Sequence, residues 1–311
     1  MSDVNLTNWI AFAVIYGLLV IASLLILLFR KRLAQKQYLE LSDRIRSWWI
    51  MAILFTLALT INQVTLIIFF AYISYLALKE YFTIIPTRQV DRRAIFLAYL
   101  GIPLQFLWVG IRWYGMFVIF IPVYLFLLIP MRLVTLGQTK GFIKASGTLH
   151  WGVMLTVYCV SYVAYLGVLP NAVDAKNQGI SYILFLVFLT QFNDVAQYCW
   201  GKSLGKKKII PEVSPNKTTV GFLGGIFTTM VVSFFISPYL TPFSWWLAII
   251  AGLLISVAGF IGDVTMSAVK RDLGIKDTGS LLPGHGGILD RMDSLIFTAP
   301  VFFHFLRYLY Y

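Results

Sequence analysis

The sequence is poor in charge: Asp, Glu, Lys and Arg make up 12% of its 311 residues, about half the share found in a typical soluble domain. It contains no polar stretch as long as the roughly 50 residues that most soluble domains need. Its two cysteines, Cys159 and Cys199, lack a CxxC spacing, so we expect neither a disulfide framework nor a cysteine metal site. These absences argue against a soluble globular protein.

Hydrophobic residues instead make up 59% of the chain and fall in long runs. The run from Trp9 to Phe29 carries no charge, and as an α-helix it is long enough to cross a hydrocarbon core of about 30 Å. No basic region precedes this run and no small-residue cleavage site follows it, so it does not resemble a secretory signal peptide. We therefore expect it to be retained as a membrane helix.

Ten apolar segments can be drawn along the sequence, and each is a candidate transmembrane helix. Only Asn62 and Gln63 separate the second segment from the third, so nine helices are the alternative. The sequence predicts an all-α fold, a polytopic transmembrane helical bundle, with N-terminal helices in residues 1–150 and a catalytic region in residues 151–311. The ten segments are residues 8–29, 47–62, 63–79, 94–110, 113–131, 151–169, 180–199, 219–238, 242–266 and 293–310.

Basic residues are distributed unevenly between the two ends of these segments. If the N-terminus lies outside and ten helices alternate, only Arg112, Lys176 and Arg307 of the 25 lysines and arginines fall outside. This asymmetry follows the positive-inside rule, so we expect both chain ends outside the cell (inner) membrane. The formal net charge of +12 is then better explained by anionic membrane lipids and phosphate ligands than by nucleic acid.

Two of the resulting cytoplasmic loops carry unusual residues, and the first covers about residues 200–218. It ends where an apolar helix opens near Thr219, and a helix N-terminus preceded by lysines suits phosphate. The same lysines would also fit a positive-inside anchor without a ligand. The Gly-Lys-Ser string at 201–203 resembles the end of a P-loop, but Ala196 stands where that motif needs Gly, so we reject it. The phosphate-binding candidates are Lys206, Lys207, Ser214, Lys217 and Thr218.

The second loop, about residues 267–292, is bracketed by carboxylates. Asp263 precedes it, and Asp290 and Asp293 stand at its far end, three apart on one helical face. Carboxylates are costly at membrane depth and usually face a polar cavity or a partner. Because Mg²⁺ prefers one or two carboxylates plus substrate phosphates, these aspartates beside phosphate-binding cations predict a Mg²⁺ site. The neighbouring candidates are Ser267, Lys270, Arg271, Lys276, His285, Gly286, Gly287 and Arg291.

Alternative interpretations stay open for several of these residues. Asp272 and Asp277 also fit solvated loop charges that pair with neighbouring cations. Asp290 also fits a helix N-cap, since Asp is favoured there. His285 also fits a structural role, and Asp194 fits either a cavity lining or the cap of a helix bend.

The second loop reads Ser267-x-Val-Lys-Arg-x₄-Lys-Asp-x-Gly-x₂-Leu-Pro-x-His-Gly-Gly-Ile-x-Asp-Arg-Met-Asp293. This run resembles, without a mismatch, the signature of the phosphatidate cytidylyltransferase family (CDP-diglyceride synthases). The resemblance covers about residues 180–311, and the N-terminal half matches only as apolar helices. Val220 is a departure, because family members commonly have Glu or Gln there. The upstream family motif is matched by Asp194, Ala196, Tyr198, Gly201, Gly205, Ser214, Pro215, Lys217, Thr218, Gly221, Gly224 and Gly225.

The resemblance implies transfer of the cytidylyl group of CTP to phosphatidate, giving CDP-diacylglycerol and pyrophosphate for phospholipid biosynthesis. It implies Mg²⁺ held by Asp263 and Asp290, with Asp293 as a further ligand or support, and a second, monovalent cation. It also suggests a homodimer, with the active site facing the cytoplasm. Lys206, Lys207, Ser214, Lys217 and Thr218 would bind the CTP phosphates, and Lys270, Arg271 and Arg291 the phosphatidate headgroup or the leaving pyrophosphate. The remaining site candidates are His285 for catalysis and Ser267, Lys276, Asp277, Gly286 and Gly287 for substrate binding.

Other functions are compatible with parts of this pattern. A CTP-dependent polyprenol-type kinase shares the use of cytosolic CTP and a membrane lipid, and a non-catalytic family member is suggested only by Val220. A transporter would more typically have polar residues at mid-membrane and broken helices in repeated halves. A CDP-alcohol phosphotransferase would need an Asp-Gly-x₂-Ala-Arg motif, which the sequence lacks.

Overall fold

A computed structural model of the protein describes residues 5–30, 34–88, 91–135, 137–170, 179–279, 281 and 286–311. Within these ranges the chain forms ten long helices, as the apolar segments predict. Asn62 separates the second helix from the third: its backbone is extended and its side chain accepts a hydrogen bond from the amide of Thr65 at 2.8 Å. The helices are α1 (Leu6–Phe29), α2 (Gln35–Thr60), α3 (Gln63–Ile84), α4 (Arg92–Gly110), α5 (Tyr114–Val134), α6 (Phe142–Val168), α7 (Gly179–Leu204), α8 (Thr219–Leu240), α9 (Trp245–Asp272) and α10 (Leu289–Tyr310).

Eight of these helices are long and apolar enough to cross a membrane, and α2 and α10 fall short by composition. The first half of α2 is rich in charge, so only its second half, which holds the predicted segment 47–62, is apolar. α10 carries Asp290, Arg291 and Asp293 in its opening turns. The chain is therefore a polytopic helical membrane protein. Two of its helices, α2 and α10, begin with charged residues.

Several helices extend beyond the apolar segments drawn from the sequence. α6 begins nine residues before the predicted segment 151–169, and α9 continues six residues past the predicted end at 266. Hydropathy marks the part of a helix that lies in hydrocarbon, whereas helical hydrogen bonding continues into the polar interface. The extension of α9 matters for function because it carries Ser267, Lys270 and Arg271.

The four C-terminal helices form one tightly packed group. α7 packs along α8, and α9 packs against both α8 and α10. Polar side chains are buried between them: the hydroxyls of Thr190 and Thr298 lie 3.0 Å apart, and Asn193 donates to the carbonyl of Ser256 at 3.3 Å. Such contacts let polar groups exist inside a membrane bundle without an unpaired hydrogen-bonding atom facing lipid.

Helices α1, α3 and α6 connect the N-terminal half to this group. α3 packs against the second half of α6 and also contacts α10. The division predicted at residues 150 and 151 falls inside α6, which is continuous from Phe142 to Val168. The end of α3 lies beside the start of α10, and this contact positions the site described below.

Gly252 allows α8 and α9 to pack backbone to backbone, and this gives a stability prediction. A Cβ at Gly252 would lie 2.8 Å from Ser233 Cβ and 2.9 Å from Met230 Cα, whereas a Cβ at Gly17 of α1 would meet nothing within 4 Å. We expect Gly252→Ala to be less stable by about 1–3 kcal/mol, because overpacking forces the helices apart. Gly17→Ala should be neutral or stabilising by up to about 1 kcal/mol, since Ala favours the helix. Thermal unfolding in detergent measures both, and equal melting temperatures for the two variants would contradict the packing.

Candidate active site

The site lies where the two predicted loops meet between the ends of α7, α8, α9 and α10. The ammonium of Lys217, in the first loop, forms an ion pair with the carboxylate of Asp263 on α9. Lys217 also donates to the side-chain oxygen of Gln197 on α7 at 3.3 Å, and Ser267 donates to Asp263 at 3.4 Å. Two loops that are separate in the sequence therefore share one group of charges.

The first loop has a defined backbone that presents its lysines. Thr218 is the N-cap of α8, and its hydroxyl oxygen accepts a hydrogen bond from the amide of Gly221 at 3.1 Å. The amide of Thr219 donates to the carbonyl of Lys207 at 3.0 Å, which folds the loop back onto the helix start. Gly205 packs so closely against Thr218 that a Cβ there would overlap its hydroxyl. The helix therefore begins where the sequence predicts it, directly after a basic loop.

Asp290 is surrounded by hydrogen-bond donors. Its Oδ1 accepts from the ammonium of Lys270 at 2.8 Å, and both side chains are largely buried, with 5% and 14% exposed. Its Oδ2 accepts from the backbone amide and hydroxyl of Thr278 at 2.8 and 3.0 Å and from the amide of Gly287 at 3.1 Å. Burial acts to raise the pKa of Asp290, which precedes the apolar part of α10. The hydrogen bonds from Lys270, Thr278 and Gly287 favour the ionised form and hold that pKa below its ordinary value.

Glu80, at the end of α3, contributes a further carboxylate to the same loop. Its Oε2 accepts from the amide of Ile288 at 2.8 Å, and its Oε1 accepts from the amide of Leu289 at 3.2 Å. The hydroxyl of Thr278 also contacts Oε1, so Glu80 and Asp290 share its one hydrogen. A Cβ at Gly287 would overlap the Glu80 carboxylate, so the glycine leaves room for it. A residue from the N-terminal half thus helps to fix the shape of the second loop.

Asp263, Asp194 and Asp293 form a second group of carboxylates, on α9, α7 and α10. Asp293 interacts electrostatically with both Asp263 and Asp194, and Ser294 donates to Asp194 at 3.2 Å. α9 and α10 approach each other closely here because Gly262 has no side chain. A Cβ at that position would overlap the carbonyl of Asp293. Repulsion between these carboxylates makes this part of the site attractive to cations.

The donor chemistry of these carboxylates bears on whether they could hold Mg²⁺. Among the described residues, no three His, Cys, Asp or Glu side chains form a ready-made metal cage. Mg²⁺ does not require one, because it usually takes one or two carboxylates plus water and substrate phosphates. Asp263 and Asp293 supply carboxylates of the kind that Mg²⁺ takes. Both oxygens of Asp263 already contact Lys217 and Ser267, and both oxygens of Asp290 accept hydrogen bonds from protein groups, so each would have to exchange a partner for a metal.

The remaining predicted residues lie at the rim of the site. The side chains of Lys206, Lys207, Lys276, Asp277 and Arg291 are exposed, and Ser214 is half-buried. Arg291 is close enough to Asp194 to act on its charge.

Arg271 links the two loops. Its side chain donates to the carbonyl of Val213 in the first loop at 3.4 Å and to the carbonyl of Ile275 at 3.3 Å. Gly286 adopts a left-handed backbone with φ +80°, and Val220 is exposed on the first turn of α8. His285 lies outside the residues that the structure describes.

Sequence reasoning missed three residues of this site: Glu80, Thr278 and Gln197. Thr278 occupies an unspecified position of the signature run. Glu80 follows Lys79 at the charged end of an apolar segment. A charged residue there indicates only the end of the membrane-spanning segment. Gln197 offered the clearest signal, because it lies three positions after Asp194 and therefore on the same face of α7.

A family model described as the cytidylyltransferase family matches residues 42–309 of the chain. The chain is similar along nearly its whole length to a protein of Escherichia coli strain K12, which bears the name uncharacterized protein YnbB. The two are 45% identical over 299 residues, which is 96% of this chain and 98% of that protein.

Similarity to proteins named phosphatidate cytidylyltransferase is partial. One from Staphylococcus aureus strain COL is 38% identical over 151 residues, or 48% of this chain and 58% of that protein. One from Staphylococcus saprophyticus is 37% identical over 150 residues, with the same coverage of both chains. The chain thus spans somewhat more than half the length of these named relatives.

Two glycines of the second loop, Gly274 and Gly286, have a left-handed backbone, and this gives a prediction. A Cβ at Gly286 would lie 2.8 Å from Asp290 Oδ2, whereas Gly274, with φ +67°, faces open space. Alanine at either position pays a conformational cost of about 1 kcal/mol for the left-handed backbone. Gly286→Ala must in addition displace the Asp290 carboxylate, so we expect it to lower the melting temperature more than Gly274→Ala. Thermal unfolding of the purified variants measures the difference, and a larger loss for Gly274→Ala would contradict the geometry at Asp290.

Proposed function

The chain belongs to the cytidylyltransferase family, and from that membership we propose that it transfers the cytidylyl group of CTP to phosphatidate. The products are CDP-diacylglycerol and pyrophosphate, and the reaction serves phospholipid biosynthesis. The observation that carries the proposal is the pairing of Lys217 with Asp263, because it joins a lysine-rich loop suited to phosphate to a carboxylate suited to a metal. The named relatives support the lipid substrate over about half of the chain.

The reaction requires two anions to approach each other. A phosphate oxygen of phosphatidate forms a bond to the α-phosphorus of CTP, and the bond from that phosphorus to the β-phosphate oxygen breaks, releasing pyrophosphate. Little covalent chemistry is asked of the protein, so neutralisation of charge and in-line positioning provide most of the catalysis. Positive side chains beside a cation-attracting carboxylate group supply both.

We assign the two basic groups to different phosphates. The first loop binds the CTP phosphates with the positive end of the α8 helix dipole and with Lys206, Lys207, Ser214, Lys217 and Thr218. Lys270, Arg271 and Arg291 face the phosphatidate headgroup or the departing pyrophosphate. Lys217 would exchange its partner Asp263 for phosphate when CTP enters, which frees that carboxylate for a cation.

Asp263 and Asp293 would hold Mg²⁺, and the cation would supply positive charge to the phosphate oxygens when bound. Asp290 is a ligand only if its Oδ1 exchanges the Lys270 ammonium for the metal. Otherwise it fixes the loop through Thr278 and Gly287. A second, monovalent cation remains part of the proposal because of the surplus of carboxylates here.

The site would lie at the cytoplasmic face of the inner membrane. Phosphatidate cannot leave the bilayer and CTP is cytosolic, so the reaction needs the membrane surface. The lysine and arginine distribution supports this side for both loops, by the positive-inside rule. The homodimer suggested by the family resemblance likewise stays a proposal.

The identity of the product tests the reaction. Purified protein would be incubated with Mg²⁺ and CTP labelled at either the α- or the γ-phosphate, in separate reactions with phosphatidate and with a polyprenol. We expect the lipid product to carry the α label and the cytidine, and the γ label to appear in pyrophosphate. A lipid that carries the γ label without cytidine would indicate a CTP-dependent lipid kinase, and no labelled lipid at all would contradict both activities.

Asp263 offers a direct test of the metal-binding group. We expect Asp263→Asn to lower Mg²⁺-dependent turnover at least about 100-fold, because altered metal surroundings alone cost up to that factor. The matched control is Asp272→Asn, since Asp272 is the exposed last residue of the same helix. The control should keep wild-type turnover, and an Asp263→Asn enzyme as active as the control would refute the assignment.

A further inference from the structure

We propose that Glu80 is a positioning residue for the cytidylyl transfer: from α3 it fixes the start of α10, and through it Asp290 and Lys270. The inference rests on the proposed function. It adds a residue of the N-terminal half, outside both loops that the sequence singles out. Glu80 does not touch the substrates in this account, and it acts through the backbone that it holds.

The first support is the way α10 begins. The opening amides of a helix have no partner within it and usually need a cap. Ile288, the N-cap residue of α10, has no side-chain capping hydrogen bond of its own. The carboxylate of Glu80 accepts instead from the amides of Ile288 and Leu289, at 2.8 and 3.2 Å. A negative charge at a helix N-terminus is also favoured by the helix dipole. Glu80 therefore caps α10 from a different helix.

The second support is that Glu80 and Asp290 share one partner. The Thr278 hydroxyl lies between Glu80 Oε1 and Asp290 Oδ2, and it is 3.0 Å from the latter. The amide of Thr278 holds Asp290 Oδ2 at 2.8 Å, so any shift of this threonine moves both carboxylates. The hydroxyl has one hydrogen, so the two carboxylates share a single donor, and its position depends on both.

The third support is the fit at Gly287. Its amide donates to Asp290, while the face where a side chain would stand is filled by the Glu80 carboxylate. One residue is thus fixed on two sides by two carboxylates. Because Asp290 in turn accepts from the Lys270 ammonium at 2.8 Å, the position of that cation follows from the same arrangement.

A rival explanation is that Glu80 only ties α3 to the C-terminal helices and so contributes stability. The two roles differ in what they change. A tie would lower the melting temperature but leave the turnover of folded protein unaltered. A positioning residue changes kcat well below the melting temperature. It leaves the CTP KM nearly unchanged, because the CTP phosphates are assigned to the other loop.

The test compares kcat and the CTP KM of four variants with those of the wild type, in vesicles of fixed phosphatidate content and per folded protein. Glu80→Gln keeps the shape but puts an amide group against backbone donors, and Thr278→Val removes the shared hydroxyl. We expect each to lower kcat about 10- to 100-fold, with a CTP KM within about threefold of wild type. Thr278→Ser should restore kcat. Glu40→Gln is the matched control, because Glu40 is exposed and pairs with Arg44 on α2.

The double variant Glu80→Gln with Thr278→Val completes the test. If both residues act through one loop, its kcat should fall little below that of the poorer single variant, because effects within a network are not additive. If Glu80→Gln has the kcat of Glu40→Gln, the inference about Glu80 is overturned while the proposed function stands. The same holds if the kcat of the double variant falls by the product of the two single effects. An inactive wild type overturns the proposed function itself, and the role of Glu80 in it.

Discussion

Two carboxylates that accept backbone amides determine the shape of the candidate site. Asp290 accepts from Gly287, and Glu80 accepts from Ile288 and Leu289, so three successive amides point at carboxylate oxygens. Buried amides left without partners would cost free energy, and buried carboxylates without donors would cost more. The loop and the carboxylates are therefore stable only together, and Lys270 and Thr278 take their positions from the same arrangement.

The membrane imposes the second constraint. Helices that are long and apolar enough to span it fill most of the chain, and charged residues gather where those helices end. Close packing at Gly252 and Gly262 brings α8, α9 and α10 together, so that Asp263 and Asp293 approach each other. In the proposed reaction, a site built on helix ends in this way would be reached by a lipid from the bilayer and by a nucleotide from water. The geometry suits a reaction whose two substrates never share one phase.

The sequence was a good guide to the helices and to the loops that carry charge. Ten apolar segments correspond to ten helices in the described ranges, and Thr218 caps α8 beside the predicted opening at Thr219. Its errors were at the helix ends, where α6 and α9 continue into polar residues. Hydropathy indicates which residues lie in hydrocarbon. It falls at the membrane interface, although the helix continues beyond that point.

The site was only partly visible in the sequence, for a different reason. Asp263, Lys217, Lys270 and Asp290 were recognisable because charged residues stood at telling spacings within two loops. Glu80 lies about two hundred positions from the amides it binds, and no local pattern encodes a contact of that separation. The spacing of Asp290 suggested a metal ligand, but its oxygens accept hydrogen bonds from Lys270 and from backbone amides. The sequence alone does not tell which of these partners a carboxylate will have.

The most direct test of this account is amide hydrogen exchange of the wild-type protein in the segment that joins the loop to α10. If the carboxylates hold the loop, the amides of Gly287, Ile288 and Leu289 should exchange at least about 100-fold more slowly than in an unstructured peptide. Exchange of these three amides at the unstructured rate, while the interior of α10 stays protected, would contradict the account.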